Sequence, residues 1–326
     1  MKNISLLFIF VLATLAASAH EVRPAYFSVT QLTDSTYQVV WKIPAMGNAI
    51  PKIYPVLPEN WIITEERSNL LPGNLRRTYT IRVDKNIEGN ELYFEGQEKT
   101  LIDILVSIKK SDGIQYSAML KPSNPHYKIP LKPDRFSTIK TYLLLGVEHI
   151  LFGIDHLLFV LALLLLTKGF RKIVKTITAF TIAHSITLSL AALGFIGLPG
   201  APVEAVIALS IVFLAVELIH YYNGRKGLTV RYPWVVAFTF GLLHGFGFAG
   251  ALIDLGLPQT DIPWALLFFN VGVEIGQIAF VIGAIGCIWL LSKIKISWPI
   301  WIKKVPPYAI GSLAAFWLIE RIYVFF

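Results

Sequence analysis

Histidines and a carboxylate interrupt an apolar stretch in the second half of this sequence. His149 and His156 lie seven residues apart, with Gly153 between them and Asp155 beside the second histidine. In a continuous helix this spacing places both imidazoles on one face, where glycine lets an ion or another helix come close. Imidazole nitrogen binds nickel, cobalt, zinc and copper ions, and a nearby carboxylate can bind the ion or orient an imidazole. The pattern predicts a site for a divalent transition metal.

Later apolar stretches add polar residues. They are Thr178, Thr181, His184, His244, Asn270, Glu274 and Gln277. Of these, His184, His244 and Glu274 would lie near the bilayer middle with His156, whereas Asn270 would lie closer to the outer side, as His149 would. Asn270, Glu274 and Gln277 recur at helical spacing and so share one face. Ionisable groups are costly in hydrocarbon and are usually functional there. The predicted metal ligands are His149, Asp155, His156, His184, His244 and Glu274.

Further polar residues could serve as accessory groups on the path of the ion. They are His20, Glu148, Glu204, Glu217, His220, Asn270 and Gln277. His20 would begin the mature chain and would offer an imidazole and a free amine to one ion. The alternative is that a polar residue simply follows the cleavage site. Interfacial solvation explains Glu204, Glu217 and His220 equally well.

The N-terminal part of the chain has the pattern of a secreted β domain. Residues 1–19 combine a positive start, an apolar stretch and a small-residue cleavage site, which is typical of a signal peptide. Residues 20–135 hold about six short stretches of alternating residues separated by turn signals, which predicts a small antiparallel β-sandwich. The four prolines of residues 121–133 indicate a linker into the rest of the chain.

Residues 136–326 are predicted to form a membrane bundle of six helices, each with the roughly 20 apolar residues that a bilayer requires. The stretches are approximately 140–166, 174–196, 203–222, 234–255, 263–291 and 305–326. Every second loop is basic, and the positive-inside rule assigns those loops to the cytoplasm. This topology puts the β domain and the C-terminus in the periplasm of a bacterial inner membrane. The basic loops also explain the net charge of +8, so no nucleic-acid partner is expected.

The first motif resembles a known family. His149-x-x-x-Gly153-x-Asp155-His156 is similar to the HPxxGxDH motif of the HupE/UreJ proteins, with Ile150 where the motif has proline. A periplasmic β domain before the bundle is typical of the longer, second branch of that family. Both departures from the shorter branch bear more on which metal is carried than on whether a metal is bound.

A second motif, Phe240-x-x-x-His244-Gly245, resembles the FxxxHG motif of the same proteins. The family is regarded as nickel or cobalt permeases. The resemblance therefore implies that His149, Asp155, His156 and His244 line an ion pathway.

These patterns favour a membrane permease that binds a divalent transition metal (nickel or cobalt, otherwise zinc or copper) near the bilayer midplane, with no catalytic residues. A periplasmic metal donor would be a further partner, and the absence of a Walker-type phosphate loop argues against direct ATP use. One alternative is an intramembrane zinc hydrolase, in which the histidines, Asp155 and Ser185 would hold zinc and an activated water. Another is a membrane sensor or assembly factor whose β domain binds a partner.

Overall fold

The computed structural model describes residues 24–45, 50–71, 74–84, 86–132, 135–254, 262–293, 302 and 304–323. The predicted signal peptide and His20 lie outside the described residues. The chain forms two compact units. The first comprises the described residues up to 106 together with 119–131, and the second comprises 107–118 and the described residues from 132 onward. The predicted domain boundary at residue 135 stays a prediction.

The first unit, together with residues 107–118 of the second, is rich in β-structure, as predicted. The described strands are β1 (Ala25–Gln31), β2 (Thr36–Pro44), β3 (Tyr54–Val56), β4 (Trp61–Leu71), β5 (Asn74–Val83), β6 (Glu91–Glu95), β7 (Ile104–Lys109), β8 (Gln115–Leu120) and β9 (His126–Lys128). Six of them form a sheet in the order β4-β5-β2-β1-β7-β8, and three form a smaller sheet in the order β3-β6-β9. The sandwich arrangement itself stays a prediction.

Aromatic residues from both sheets meet in the core of this unit. Alternate residues of β2 are buried, among them Trp41, because successive side chains of a strand point to opposite faces. The ring centroid of Phe94 on β6 lies 5.2 Å from that of Phe27 on β1 and 5.5 Å from that of Trp41. This packing supplies an apolar core without disulfides, since the only cysteine of the chain is Cys287.

Strand β9 lies within the segment that was predicted to be a linker. It pairs antiparallel with β6 at the edge of the smaller sheet, and Phe94 donates its amide to the carbonyl of Pro125. Proline is compatible with an edge strand when it lies just outside the paired residues, as Pro125 and Pro130 do here. The prolines therefore delimit a short strand instead of excluding one.

The second unit is helical. Its described helices are α1 (Arg135–Phe152), α2 (Ile154–Leu166), α3 (Phe170–Ala192), α4 (Gly200–Tyr222), α5 (Leu228–Arg231), α6 (Pro233–Asp254), α7 (Ile262–Lys293) and α8 (Val305–Tyr323). By length and composition, the described part contains three helices that could cross a membrane, namely α3, α4 and most of α7. A fourth span results if α1 and α2 together cross once. The predicted number of six spans stays a prediction.

The first predicted span is broken at Gly153. Helices α1 and α2 are bent by 72° around this residue, whereas a continuous helix over 140–166 was expected. Gly153 has an extended ψ of 90°, and a Cβ added to it would lie 2.7 Å from the carbonyl oxygen of His149. Hydropathy alone cannot reveal such a break, because apolar residues lie on both sides of it.

The helices associate mainly in three pairs, α1 with α7, α3 with α6, and α4 with α8. Glycine makes two of these pairs very close. Gly146 and Gly272 lie against backbone carbonyls across the α1–α7 contact, and Gly241 and Gly245 do so across the α3–α6 contact. A Cβ at any of these positions would overlap the partner backbone, which is the small-residue packing typical of membrane helices.

Candidate metal centre

Three histidines come together where α1, α2 and α3 meet. His149 lies near the end of α1, His156 near the start of α2, and His184 within α3. One ring nitrogen from each lies within 4.8 Å of those of the other two. The ring centroids of His149 and His156 are 4.8 Å apart, and that of His184 is 6.2 Å from both. The bend at Gly153, not a shared face of one helix, brings the first two imidazoles together.

The fourth predicted histidine borders this triad. The ring centroid of His244 on α6 lies 5.2 Å from that of His156, and the side chain is buried. Its Nδ1 lies 2.9 Å from the carbonyl oxygen of Phe240. A carbonyl can only accept, so the neutral imidazole carries its proton on Nδ1 and presents the lone pair of Nε2.

His156 is oriented by its neighbour. Its Nδ1 lies 2.9 Å from Oδ1 of Asp155, and the same carboxylate oxygen accepts the backbone amide of His156 at 2.8 Å. A carboxylate that holds Nδ1–H is the usual way in which a ligand histidine is fixed with Nε2 toward a metal. The geometry thus places Asp155 behind an imidazole, in the orienting role that was one of its two predicted roles.

His184 is oriented from another helix. Its Nδ1 lies 3.3 Å from Oδ1 of Asn270 on α7. The amide nitrogen of Asn270 donates to the carbonyl of Leu266 at 2.7 Å, which fixes the amide with its oxygen toward the histidine. His184 therefore also carries its proton on Nδ1.

The opposite ring nitrogens are buried without hydrogen bonds. Within the described part of the chain, Nε2 of His149, His184 and His244 has no hydrogen-bond partner. Leaving such a group unsatisfied costs about 1–3 kcal/mol, so buried polar atoms normally have a partner or bind something. Lone pairs that converge from several imidazoles suit a transition-metal ion.

The fit of an ion can be judged from the nitrogen separations. Nitrogens that bind tetrahedral zinc at about 2.0–2.1 Å lie roughly 3.3 Å apart. The separations of up to 4.8 Å are wider, so the side chains would have to move inward by about 1 Å. The triad is thus close to a binding geometry but open.

Glu274, the remaining predicted ligand, is not grouped with the three histidines. Its carboxylate accepts the hydroxyl of Thr178 at 2.6 Å, and Thr181 donates to Oε1 of Gln277 at 3.0 Å. These four residues form a polar ladder between α3 and α7. It starts beside His184 and Asn270 and leads toward the N-terminal end of α3, where the basic residues of the 168–175 loop lie.

Glu217, predicted as an accessory residue, has a different position. It is buried near the end of α4, and its Oε2 accepts the backbone amide of Thr229 at 2.9 Å. Gly227 lies directly against its carboxylate. Glu217 therefore caps the start of the short helix α5, where backbone amides need an acceptor.

The other accessory residues also lie apart from the triad. Glu204 forms an ion pair of 3.2 Å with Arg321, which links α4 to α8, and Arg321 lies 3.3 Å from Glu320. His220 is in the last turn of α4, and Glu148 is a half-buried neighbour of His149. Among the described residues, none of these belongs to the group of side chains that could hold one metal ion together.

Three phenylalanines pack around the histidines, and the sequence analysis named only Phe240 among them, as part of the second motif. The ring centroids of Phe159 and Phe180 lie 5.0 and 5.1 Å from that of His244, and Phe240 packs on Phe159. These three residues are termed the phenylalanine cluster. A repeated spacing could have revealed part of it, since Phe180 precedes His184 by four residues and Phe240 precedes His244 by four.

Comparison with known proteins identifies the family of the chain. A search of curated proteins found no match. The family model described as HupE / UreJ protein matches residues 127–321, more than half of the chain, and this range contains all four histidines with Asp155 and Asn270. The resemblance seen in the two motifs is thereby confirmed, and the chain belongs to the HupE/UreJ family.

Proposed function

We propose that this membrane protein is a permease for a divalent transition-metal ion, with nickel or cobalt as the substrate. The observation that carries the proposal is the group formed by His149, His156 and His184, whose ring nitrogens lie within 4.8 Å of one another. His244 stands beside this group as a further imidazole. Membership of the HupE/UreJ family and the apolar helices support the same function.

The ion would cross from the periplasm to the cytoplasm of a bacterial inner membrane. The basic loops mark the cytoplasmic end by the positive-inside rule, and the β domain would lie in the periplasm. The ion exchanges water for imidazole nitrogens at the triad. It then leaves along the polar ladder of Thr181, Gln277, Thr178 and Glu274, whose hydroxyl, amide and carboxylate oxygens can replace water one after another.

An open triad suits transport better than storage. Conduction requires a site that binds an ion well enough to admit it and weakly enough to release it. The triad would have to contract before it holds an ion tightly, and His149 and His184 belong to helices of different pairs. Sliding of the α1–α7 pair against the α3–α6 pair would open and close the site, while the glycine contacts keep each pair intact.

In the described part of the chain, the groups that the hydrolase alternative would use are engaged in other contacts. A zinc hydrolase needs a general base near the metal-bound water. Asp155 is held by His156, and the hydroxyl of Ser185 donates to the carbonyl of Thr181 at 2.6 Å. Glu274 accepts the hydroxyl of Thr178. These engagements weigh against hydrolysis and leave transport as the function that the geometry supports best.

The first test is the metal content of the purified full-length protein. Wild type, His156→Ala and His220→Ala are equilibrated with mixed nickel, cobalt, copper and zinc, and bound metal is measured by mass spectrometry. Stoichiometric metal in wild type and His220→Ala, with loss in His156→Ala, supports the site and identifies the preferred ion. Equal metal in all three proteins contradicts the ligand assignment.

Transport is tested separately in proteoliposomes. Flux of the preferred ion, followed with a fluorescent chelator inside the vesicles, should be abolished by His156→Ala and retained by His220→Ala. Bound metal without flux in wild type would contradict the permease function and return the hydrolase to consideration.

A further inference from the structure

Two phenylalanines outside the phenylalanine cluster pack against His149. The ring centroid of Phe248 lies 4.0 Å from that of His149, and the ring centroid of Phe269 lies 5.5 Å from it. The two phenyl rings stack on each other, with centroids 5.1 Å apart and planes inclined by only 7°. This pair is termed the aromatic wall, and His149 contacts both the wall and His156.

The positions along the helices place this wall at the opposite end of the site from the basic loops. Phe248 follows His244 by four residues on α6, about 6 Å further along the axis. Phe240, a member of the phenylalanine cluster, precedes His244 by the same number of residues. The histidines therefore lie between two aromatic layers, one toward each end of α6.

Phe248 also lies at the boundary between the interior and the surface. Phe269 is fully buried, whereas Phe248 is partly exposed. The Phe248 ring packs at 41° to an imidazole whose Nε2 is buried without a hydrogen-bond partner among the described residues. His149 is itself only half-buried, and moving the Phe248 side chain would expose more of it.

The backbone that carries Phe248 is rich in glycine. Gly245, Gly247 and Gly250 fall within six residues of α6. Each glycine in a helix costs about 1 kcal/mol relative to alanine, so local unwinding here is cheaper than elsewhere in the helix. A Cβ added to Gly247 would meet the end of the Ile207 side chain at 2.7 Å and Cγ1 of Val203 at 3.7 Å, both of them side-chain atoms, so no backbone contact requires glycine at this position.

We propose that Phe248, backed by Phe269, is a movable lid over His149 that controls access to the histidines from the end opposite the basic loops. The inference rests on the proposed function in one respect, namely that a metal ion is what passes the lid. The lid itself concerns only the accessibility of His149, which can be measured without any metal.

The test measures how fast diethyl pyrocarbonate modifies His149 in the purified metal-free full-length protein, with the modified peptides quantified by mass spectrometry. His126, whose side chain is 52% exposed, serves as the internal reference. Phe248→Ala should raise the rate at His149 about tenfold and leave the rate at His126 unchanged. Phe246→Ala is the matched control, because Phe246 lies on the same helix and makes no ring contact with the histidines among the described residues.

A second variant distinguishes the loss of the lid from misfolding of Phe248→Ala. Gly247→Ala should stiffen the helix and slow modification of His149 at least threefold without enlarging any opening. An unchanged rate at His149 in Phe248→Ala, or an unchanged or faster rate in Gly247→Ala, overturns the lid. Acceleration at His184 and His244 as large as at His149 would show general unfolding of Phe248→Ala, and the Gly247→Ala result then decides.

Metal exchange separates the lid from the permease hypothesis. Protein loaded with cobalt is mixed with excess EDTA, and the loss of the visible cobalt absorption is timed. Phe248→Ala should lose cobalt about ten times faster than wild type and Phe246→Ala. If wild type binds no cobalt, nickel or zinc, the proposed function fails, whereas faster modification of His149 in Phe248→Ala still establishes the lid.

Discussion

The Nδ1 atom of His184 lies 3.3 Å from Oδ1 of Asn270, and this contact joins α3 to α7 inside the candidate metal centre. Asn270 is itself held by the carbonyl of Leu266. An uncharged amide thus does for His184 what the carboxylate of Asp155 does for His156. Both residues act through an imidazole, and neither needs to touch the ion.

Replacing Asn270 with leucine should weaken metal binding by about 10- to 100-fold, the usual effect of losing the partner of a ligand histidine. Asn270→Asp keeps an acceptor oxygen and should restore binding to near the wild-type affinity. Titration calorimetry gives the affinities, and X-ray absorption of the bound metal counts the imidazoles. Wild-type affinity and an unchanged imidazole count in Asn270→Leu would exclude the positioning role.

Substitution of Gly153 should damage the site through geometry alone. An alanine Cβ would lie 2.7 Å from the carbonyl oxygen of His149 and 2.9 Å from Nδ1 of His156, so one of them must move. We expect Gly153→Ala to lower metal affinity at least tenfold. Gly283→Ala and Gly286→Ala are suitable controls, because a Cβ at either position meets no atom within 4 Å. Equal affinities in all three variants would contradict this account of the bend.

The polar ladder should affect movement of the ion more than its binding. Glu274→Gln removes the charge but keeps an acceptor for Thr178. We expect the variant to bind metal with wild-type stoichiometry and to slow proteoliposome flux about tenfold. Thr239→Val is a control outside the ladder, since the exposed hydroxyl of Thr239 donates to its own helix at Val235. Loss of bound metal in Glu274→Gln would instead make Glu274 a ligand, as the sequence predicted.

Glu217 should matter for stability and not for metal. Glu217→Ala leaves the amide of Thr229 without its acceptor, and the loss of a helix cap costs about 0.5–2 kcal/mol. We expect a lower midpoint of thermal unfolding with unchanged metal content. Glu320→Ala, at a site with 56% side-chain exposure, should leave both unchanged. A loss of metal in Glu217→Ala would instead support the predicted role of Glu217 on the path of the ion.

Much of the helical part could be predicted, because the thickness of the bilayer sets the length of the apolar stretch that a spanning helix needs. The predicted stretches 174–196, 203–222, 234–255 and 263–291 begin and end within four residues of α3, α4, α6 and α7. The sequence analysis expected close packing at Gly153, and Gly272 provides a further close contact, against α1.

The contacts that a side chain makes with a neighbouring helix could not be predicted, because they depend on how each helix is rotated about its axis. The face shared by Asn270, Glu274 and Gln277 was evident from spacing. That Asn270 meets an imidazole while Glu274 meets Thr178 follows only from the packing of α7 on α3. The role of Glu217 depends on α5, a helix of four residues that carries no periodic signal.

The pairing of the helices has a consequence for the synthesis of the protein. Helices α1 and α3 carry His149 and His184 and are synthesised early, yet their main partners, α7 and α6, emerge late. The glycine contacts that hold α1 and α3 in place and the amide that orients His184 also come from those late segments. A nascent chain therefore contains all three imidazoles of the triad before it can hold them together, and the capacity to bind an ion should appear only when synthesis is nearly finished.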